Sequence, residues 1–145
     1  MSRSFDGIPG FVAFLITIPV EIEAGIKAGL EEAAKLVEKT AKEAIGTYTF
    51  GWPPLQPETI ARKGADTPLL ETGDLQASIS HVVEGHEAQI GTNDYKALWM
   101  ELGTSRIPPR PFMSESAIRT EKEVVRIIGS HFATAIVGSY VKLIP

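Results

Sequence analysis

Ile22-Glu23-Ala24-Gly25-Ile26-Lys27-Ala28-Gly29-Leu30-Glu31-Glu32-Ala33-Ala34-Lys35-Leu36-Val37 carries the strongest helical periodicity in the chain. Extended to Pro19 on one side and Ile45 on the other, it sets Ile22, Ile26, Leu30, Ala33, Val37, Ala41 and Ala44 at steps of three and four. That spacing gives one long helix with a single apolar face. The other face carries Glu23 with Lys27, Glu31 with Lys35 and Glu38 with Lys42, each glutamate four residues ahead of its lysine. Such pairs add about 0.2 to 0.5 kcal/mol each and describe a solvated face. Pro19 suits a first helical turn, Glu21 and Glu23 suit the positive end of the dipole, and Gly46 suits a C-terminal stop.

Upstream, residues 1–18 form an apolar N-terminal segment built on Phe11-Val12-Ala13-Phe14-Leu15-Ile16-Thr17-Ile18. A secretory signal is disfavoured, because Asp6 stands beside the basic end, no small-x-small site follows closely, and the run flows into a charged amphipathic helix. It is also far short of the roughly 20 residues that span a bilayer. The expectation is a strand or a helix entry, packed in the core or against a neighbouring copy.

Downstream, residues 47–70 form a long loop punctuated by Gly51, Pro53 and Pro54, with a short helix from Pro57 to Lys63 ahead of Gly64. Loops of this length are often contact segments, and Phe50 and Trp52 offer apolar area to a partner; in an isolated subunit both rings are expected to fold back on the core. Thr72 can cap a turn reaching Ser78. Ile79, His81 and Val83 then alternate with Ser80, Val82 and Glu84 as a strand, Gly85-His86 turns, and Glu87 to Thr92 returns antiparallel. Asn93 and Asp94 cap a short helix from Tyr95 to Leu102. A second long helix, about Ser114 to Val137, is expected to bury Ala117, Ile118, Val125, Ile128, Phe132 and Ile136, and residues 138–145 look like a terminal strand or arm.

This order gives an α+β fold: two long helices packed on a small antiparallel β-sheet, with an extended loop between the first helix and the sheet. At 145 residues, 43% hydrophobic and 22% charged, residues 1–145 are expected to form one soluble domain. A net charge of −4 argues against broad nucleic-acid binding, which needs clustered cations to displace counterions. With no cysteine, disulfides, thiolate nucleophiles and sulfur-bound zinc are excluded. His81 and His86 flank a turn and His131 lies on a late helix, so the three histidines make no helical metal spacing, and no GxSxG, P-loop or HExxH string occurs. The expectation is therefore no catalytic residue, no metal and no cofactor.

Between the last two helices stand Glu101-Leu102-Gly103-Thr104, Arg106 and Pro108-Pro109-Arg110-Pro111-Phe112. Gly103 can take the positive φ that ends a helix, and three prolines fix φ around the Arg110 guanidinium, so it is displayed at little ordering cost. A rigid cationic loop suits docking to another protein; a plain surface connection in which Glu101 pairs with Arg106 or Arg110 is the alternative. The PxxP spacing also fits a polyproline ligand.

Read with Leu69-Leu70-Glu71-Thr72-Gly73-Asp74-Leu75-Gln76-Ala77-Ser78-Ile79, Ile90-Gly91-Thr92, and Trp52-Pro53-Pro54-Leu55 with Thr59 and Lys63, this block resembles, in order and spacing, the tail-completion and head-tail joining proteins of long-tailed bacteriophages and prophages. Those proteins often place an aromatic-alanine pair five residues before the glutamate. Here Tyr95 lies six before Glu101 with Lys96 between it and Ala97, so no contact is assigned to Tyr95. The resemblance implies a structural, non-enzymatic minor tail protein, localised in the virion tail or neck and in the host cytoplasm during assembly. Its implied partners are copies of itself in a ring, a hexamer being one size allowed, with tail-tube, tail-terminator and head-connector proteins, and neither membrane nor specific nucleic acid. The interaction residues it implies are Trp52, Glu101, Gly103, Thr104, Arg106, Pro109, Arg110, Pro111 and Phe112. Two other functions stay open: a small hydrolase-like or ligand-binding protein using the Glu101 and Arg110 region, and a host interaction module reading partners through the Pro108–Pro111 loop.

Overall fold

The helical periodicity around Ile22–Val37 is realised in a helix longer than its spacing implied. A computed structural model describes the backbone of residues 7–143 and the side chains of residues 19–138. In chain order the elements are α1 (Gly7–Ala44), α2 (Pro57–Lys63), α3 (Asp74–Ser78), β1 (Ser80–Glu84), β2 (Glu87–Gly91), α4 (Lys96–Leu102) and α5 (Met113–Leu143). The fold class is α+β: helix-rich, with one small antiparallel sheet in which Ser80 pairs with Gly91, His81 with Ile90, Val82 with Gln89 and Val83 with Ala88. Among the described residues no helix is long and apolar enough to cross a membrane.

α1 is the common support. α5 packs along it, and both strands lie against it. Because a two-stranded hairpin is marginal by itself in water, this helix is what holds the sheet. The apolar stripe predicted for α1 is in place, with Ala33, Ala34, Val37, Ala41 and Ala44 all buried. Near the α1–α5 crossing the backbones come very close. A Cβ added at Gly25 would stand 2.6 Å from Ala135 Cβ, and one at Gly29 would stand 3.1 Å from His131 Cβ.

Pro19 does not start α1, as its sequence context suggested, but lies inside it. A proline removes one backbone donor and crowds the preceding turn. The run from Phe11 to Ile18 contains no glycine or further proline to end the helix, so that local penalty does not stop it. At the other end the expected terminal strand or arm is replaced by helix, since α5 continues through Leu143; Ile144 and Pro145 lie outside the described residues.

The larger correction concerns which face of α5 is inside. Ile118 and Val125 are 67% and 66% exposed, and Phe132 and Ile136 are exposed as well. Among the described side chains of α5 the buried positions are Ser116, Thr120 and Ile127. Polar residues can occupy that face because their hydroxyls are satisfied within the helix: Ser116 Oγ donates to the Phe112 carbonyl, and Thr120 Oγ1 donates to the Ser116 carbonyl at 2.7 Å. Farther along, Ala135 of α5 meets Gly25 of α1, where a larger side chain on either helix would hold the two apart.

The main core gathers Ala41, Ala44, Ile45, Trp52, Ile79, Ala97 and Phe112, with Phe50, Leu70, Ile90 and Met100 packed on it. Thus the end of α1, the long loop, the hairpin, α4 and the start of α5 all meet at one point.

Candidate functional site

The residues between α4 and α5 are held by a dense set of local bonds. Gly103 closes α4 by donating its N–H to the Trp99 carbonyl at 2.8 Å, and its φ of 74° lies in the region that favours glycine. A side chain here would also collide, since an added Cβ would lie 2.8 Å from Pro109 N and 2.9 Å from Ile107 O. Thr104 N–H donates to the Ile107 carbonyl at 2.8 Å, while Thr104 Oγ1 accepts from the N–H groups of Arg106 and Ile107. Arg110 N–H returns to the Met100 carbonyl at 2.7 Å, so the loop is tied to the helix it leaves.

Glu101 reaches forward to the start of α5. Its Oε2 accepts from Phe112 N–H at 2.9 Å and Met113 N–H at 3.0 Å, its Oε1 accepts from Ser114 N–H at 2.9 Å, and Ser114 Oγ donates to it too. These are backbone donors that the first turn of a helix cannot use internally. Burial pushes the Glu101 carboxyl up, but the Ser114 hydroxyl and the N–H groups of Ser114, Met113 and Phe112 outweigh it and hold the group below its ordinary value. Glu101 is therefore an N-terminal cap supplied from another helix.

Arg110 is 6% exposed, neither displayed for docking as expected nor paired with Glu101 as in the alternative. Its Nη2 donates to the Pro53 carbonyl at 3.0 Å and toward the Pro54 carbonyl at 3.4 Å, while Nε is buried without a partner. Trp52 Nε1 donates to the Pro111 carbonyl at 3.2 Å, the Phe50 and Trp52 rings meet edge-on, and Arg119 lies 4.6 Å over the Phe50 ring. Both aromatics of the long loop therefore fold back on the core.

The expected docking residues accordingly divide. Trp52, Arg110 and Phe112 are buried and Glu101 is occupied with α5, so these four brace the subunit from within. Thr104, Arg106 and Pro109 are exposed, and Gly103 and Pro111 are half-buried. Besides the exposed apolar positions of α5, a displayed apolar surface lies on and beside α4, where Tyr95, Leu98, Trp99 and Leu102 are all exposed, with Tyr95 and Trp99 stacked edge to face at 5.3 Å. A recess of about 340 Å³ borders it, floored by Ala97 and Phe112. Tyr95, Leu98, Trp99 and Leu102 fall at steps of three and four in the sequence, a spacing that puts them on one helix face without telling whether that face is covered.

The charged face of α1 proves to be occupied. His81 of β1 stands between Glu31, 3.0 Å from its Nε2, and Glu38, in contact with its Nδ1. Hydrogen bonds donated to Glu31 and then to Glu38 raise the His81 pKa above its ordinary value against the opposing effect of burial. Glu38 is held low by Lys42 and then His81, and Glu31 by His81 first. His86 meets Glu23 at 3.0 Å in place of the lysine expected there. Among the described residues no group of three or more histidine and acidic side chains is arranged to hold a metal ion.

No family model, curated protein or solved structure matches the chain.

Proposed function

We propose that this chain is a structural virion protein of a phage or prophage, completing the tail or joining head and tail at the neck as one subunit of a ring. The observation that carries the reading is the exposed apolar surface of Tyr95, Leu98, Trp99 and Leu102, on a helix clamped at its C-terminal end to α5. A contiguous cluster of two aromatics and two leucines facing solvent is the composition of an interface centre. Its mounting supports the same role, because Glu101, Gly103 and the proline loop fix α4 against the core and leave little ordering entropy to lose on docking. The motif residues thus act indirectly, by rigidifying the subunit that presents the surface. Function by surface complementarity calls for no bond chemistry, and the partners follow: copies of itself, then tail-tube, terminator and connector proteins.

The test is assembly. Light scattering over a concentration series, alone and with a tail-tube protein encoded beside this gene, is expected to show a closed oligomer that Trp99→Asp with Leu102→Asp abolishes while leaving the circular-dichroism spectrum unchanged. A strict monomer under both conditions refutes the reading, as does a gene neighbourhood of metabolic enzymes in place of portal, adaptor and tail-tube genes.

A further inference from the structure

A second recess, of about 360 Å³ and sharing no lining residue with the first, lies between α2, the long loop on either side of it, Met100 of α4 and residues 106–110. Four cationic side chains line it, Arg62, Lys63, Arg106 and Arg110, against a single acidic one, Glu71. Glu71 is already engaged by Arg62 at 2.8 Å. The local excess of positive charge is the opposite of the chain's net charge of −4.

Arg62 apart, these cations make no direct ion pair with a carboxylate among the described residues. Arg110 is more than nine-tenths buried, yet its partners are the Pro53 and Pro54 carbonyls, and its Nε donates to nothing. Peptide carbonyls satisfy hydrogen-bonding valence without cancelling the charge, and an uncompensated buried cation is costly. Lys63 Nζ donates to another carbonyl, that of Thr67, at 2.6 Å. Burial is the main cause that holds its pKa below the ordinary lysine value; Glu71 and, more weakly, Asp66 oppose this, and the nearby Arg62 and Arg110 reinforce it. Arg106, exposed at the rim, places its guanidinium against no partner among the described residues. The remaining wall is mostly apolar, with Leu55, Leu69, Met100 and Ile107 beside the polar Gln56 and Thr59, and Leu69 there holds a left-handed φ of 65°. A backbone conformation rare for leucine is kept where surrounding structure enforces it.

We propose that this recess binds a small ligand bearing an oxyanion, phosphate or carboxylate, on a compact apolar body. Guanidinium groups present planar pairs of donors that match either oxyanion, and a lysine adds a point charge. The volume falls within the range of small-molecule sites, about 300 to 1,000 Å³. The bound oxyanion supplies the counter-charge that Arg110 and Lys63 lack, while the apolar wall takes the body of the ligand. This site lies apart from the exposed α4 surface and stands whether or not the chain builds a phage neck.

The experiment titrates the full chain with inorganic phosphate and, separately, with glutarate, at ionic strength matched by sodium chloride to remove nonspecific screening. The readouts are the arginine Nε–H signals in ¹⁵N spectra and the heat of binding. Saturable movement of the Arg110 Nε–H signal is expected, with affinity weakened at least about tenfold in Arg106→Gln and strengthened several-fold in Glu71→Gln; both positions are exposed, and circular dichroism checks that both variants fold. Tighter binding of phosphate assigns a phosphate-bearing ligand and tighter binding of glutarate a carboxylate, and either supports the site. No saturable response to either probe, or affinities indifferent to both substitutions, overturns it.

Discussion

Replacing Glu101 tests how the loop between α4 and α5 holds the subunit together. In the folded chain its carboxylate accepts three backbone N–H bonds, from Phe112, Met113 and Ser114, and a fourth from the Ser114 hydroxyl. Hydrogen bonds to a charged acceptor contribute about 1.5 to 3 kcal/mol each when removed singly, but four on one carboxylate are strongly non-additive, and water can reach part of the site. Loss of a helix cap alone costs about 0.5 to 2 kcal/mol, and a charge at the positive end of a helix contributes about 0.3 to 1 kcal/mol. Glu101→Ala is therefore expected to lower unfolding free energy by about 2 to 4 kcal/mol, and Glu101→Gln, which keeps an acceptor and loses the charge, by about 1 to 2 kcal/mol. Urea titration followed by tryptophan fluorescence measures this, because Trp52 is bonded to the Pro111 carbonyl beside the cap. The pH dependence has a fixed sign. Glu101 is held below its ordinary value of 4.5 in the folded state, so its stabilisation is fully present above that value and is lost as pH falls through the lower folded value. The gap between parent and Glu101→Gln should thus be widest near neutral pH and close in acid. A gap under about 0.5 kcal/mol at neutral pH, or one that persists unchanged in acid, would refute the cap as the source of stability.

Two further outcomes follow from the same geometry. Gly103→Ala forces a Cβ to within 2.8 Å of Pro109 N at a φ of 74°, so a loss of roughly 2 to 4 kcal/mol is expected, read as a lowered melting temperature with unchanged helix content; a variant that melts like the parent would mean the loop tolerates reshaping. His81 has a raised pKa in the folded chain, so its contribution is complete below the ordinary value of 6.5 and fades as pH climbs through the higher folded value; the stability difference between parent and His81→Asn should shrink across that rise, and a difference flat with pH would remove the Glu31–His81–Glu38 clamp from the account.

What could be read in the sequence was what depends on near neighbours. The hairpin of β1 and β2 and the bounds of α2 depend on local turn chemistry and short-range alternation, and both stand where their residues put them. α1 was recognisable from its alternating apolar and charged steps, although Pro19 misled as a boundary because a proline's cost is local and the apolar run before it favours helix. The orientation of α5 was not legible, since Ser116 and Thr120 look solvent-facing until their hydroxyls are seen bonding back along their own helix. Nor were the partners of Arg110, which lie 56 and 57 residues earlier in the chain, or those of His81, 43 and 50 residues away. Such pairings are decided by how the elements assemble, which no local spacing records.

The close approach of α1 and α5 sets a timetable for the newborn chain. Gly25 meets Ala135, about 110 residues later in synthesis. At roughly 5 to 20 residues per second, the first helix waits on the order of 5 to 20 s after its own translation for the helix that covers it. Throughout that interval the alanine and glycine stripe of α1 has no intramolecular lid, while the hairpin and the α4 region emerge and can settle on its far half. A ribosome that stalls late in the gene therefore presents a part-built subunit whose longest helix is open along one side, the state in which an early encounter with another copy can seal the wrong pair of helices together.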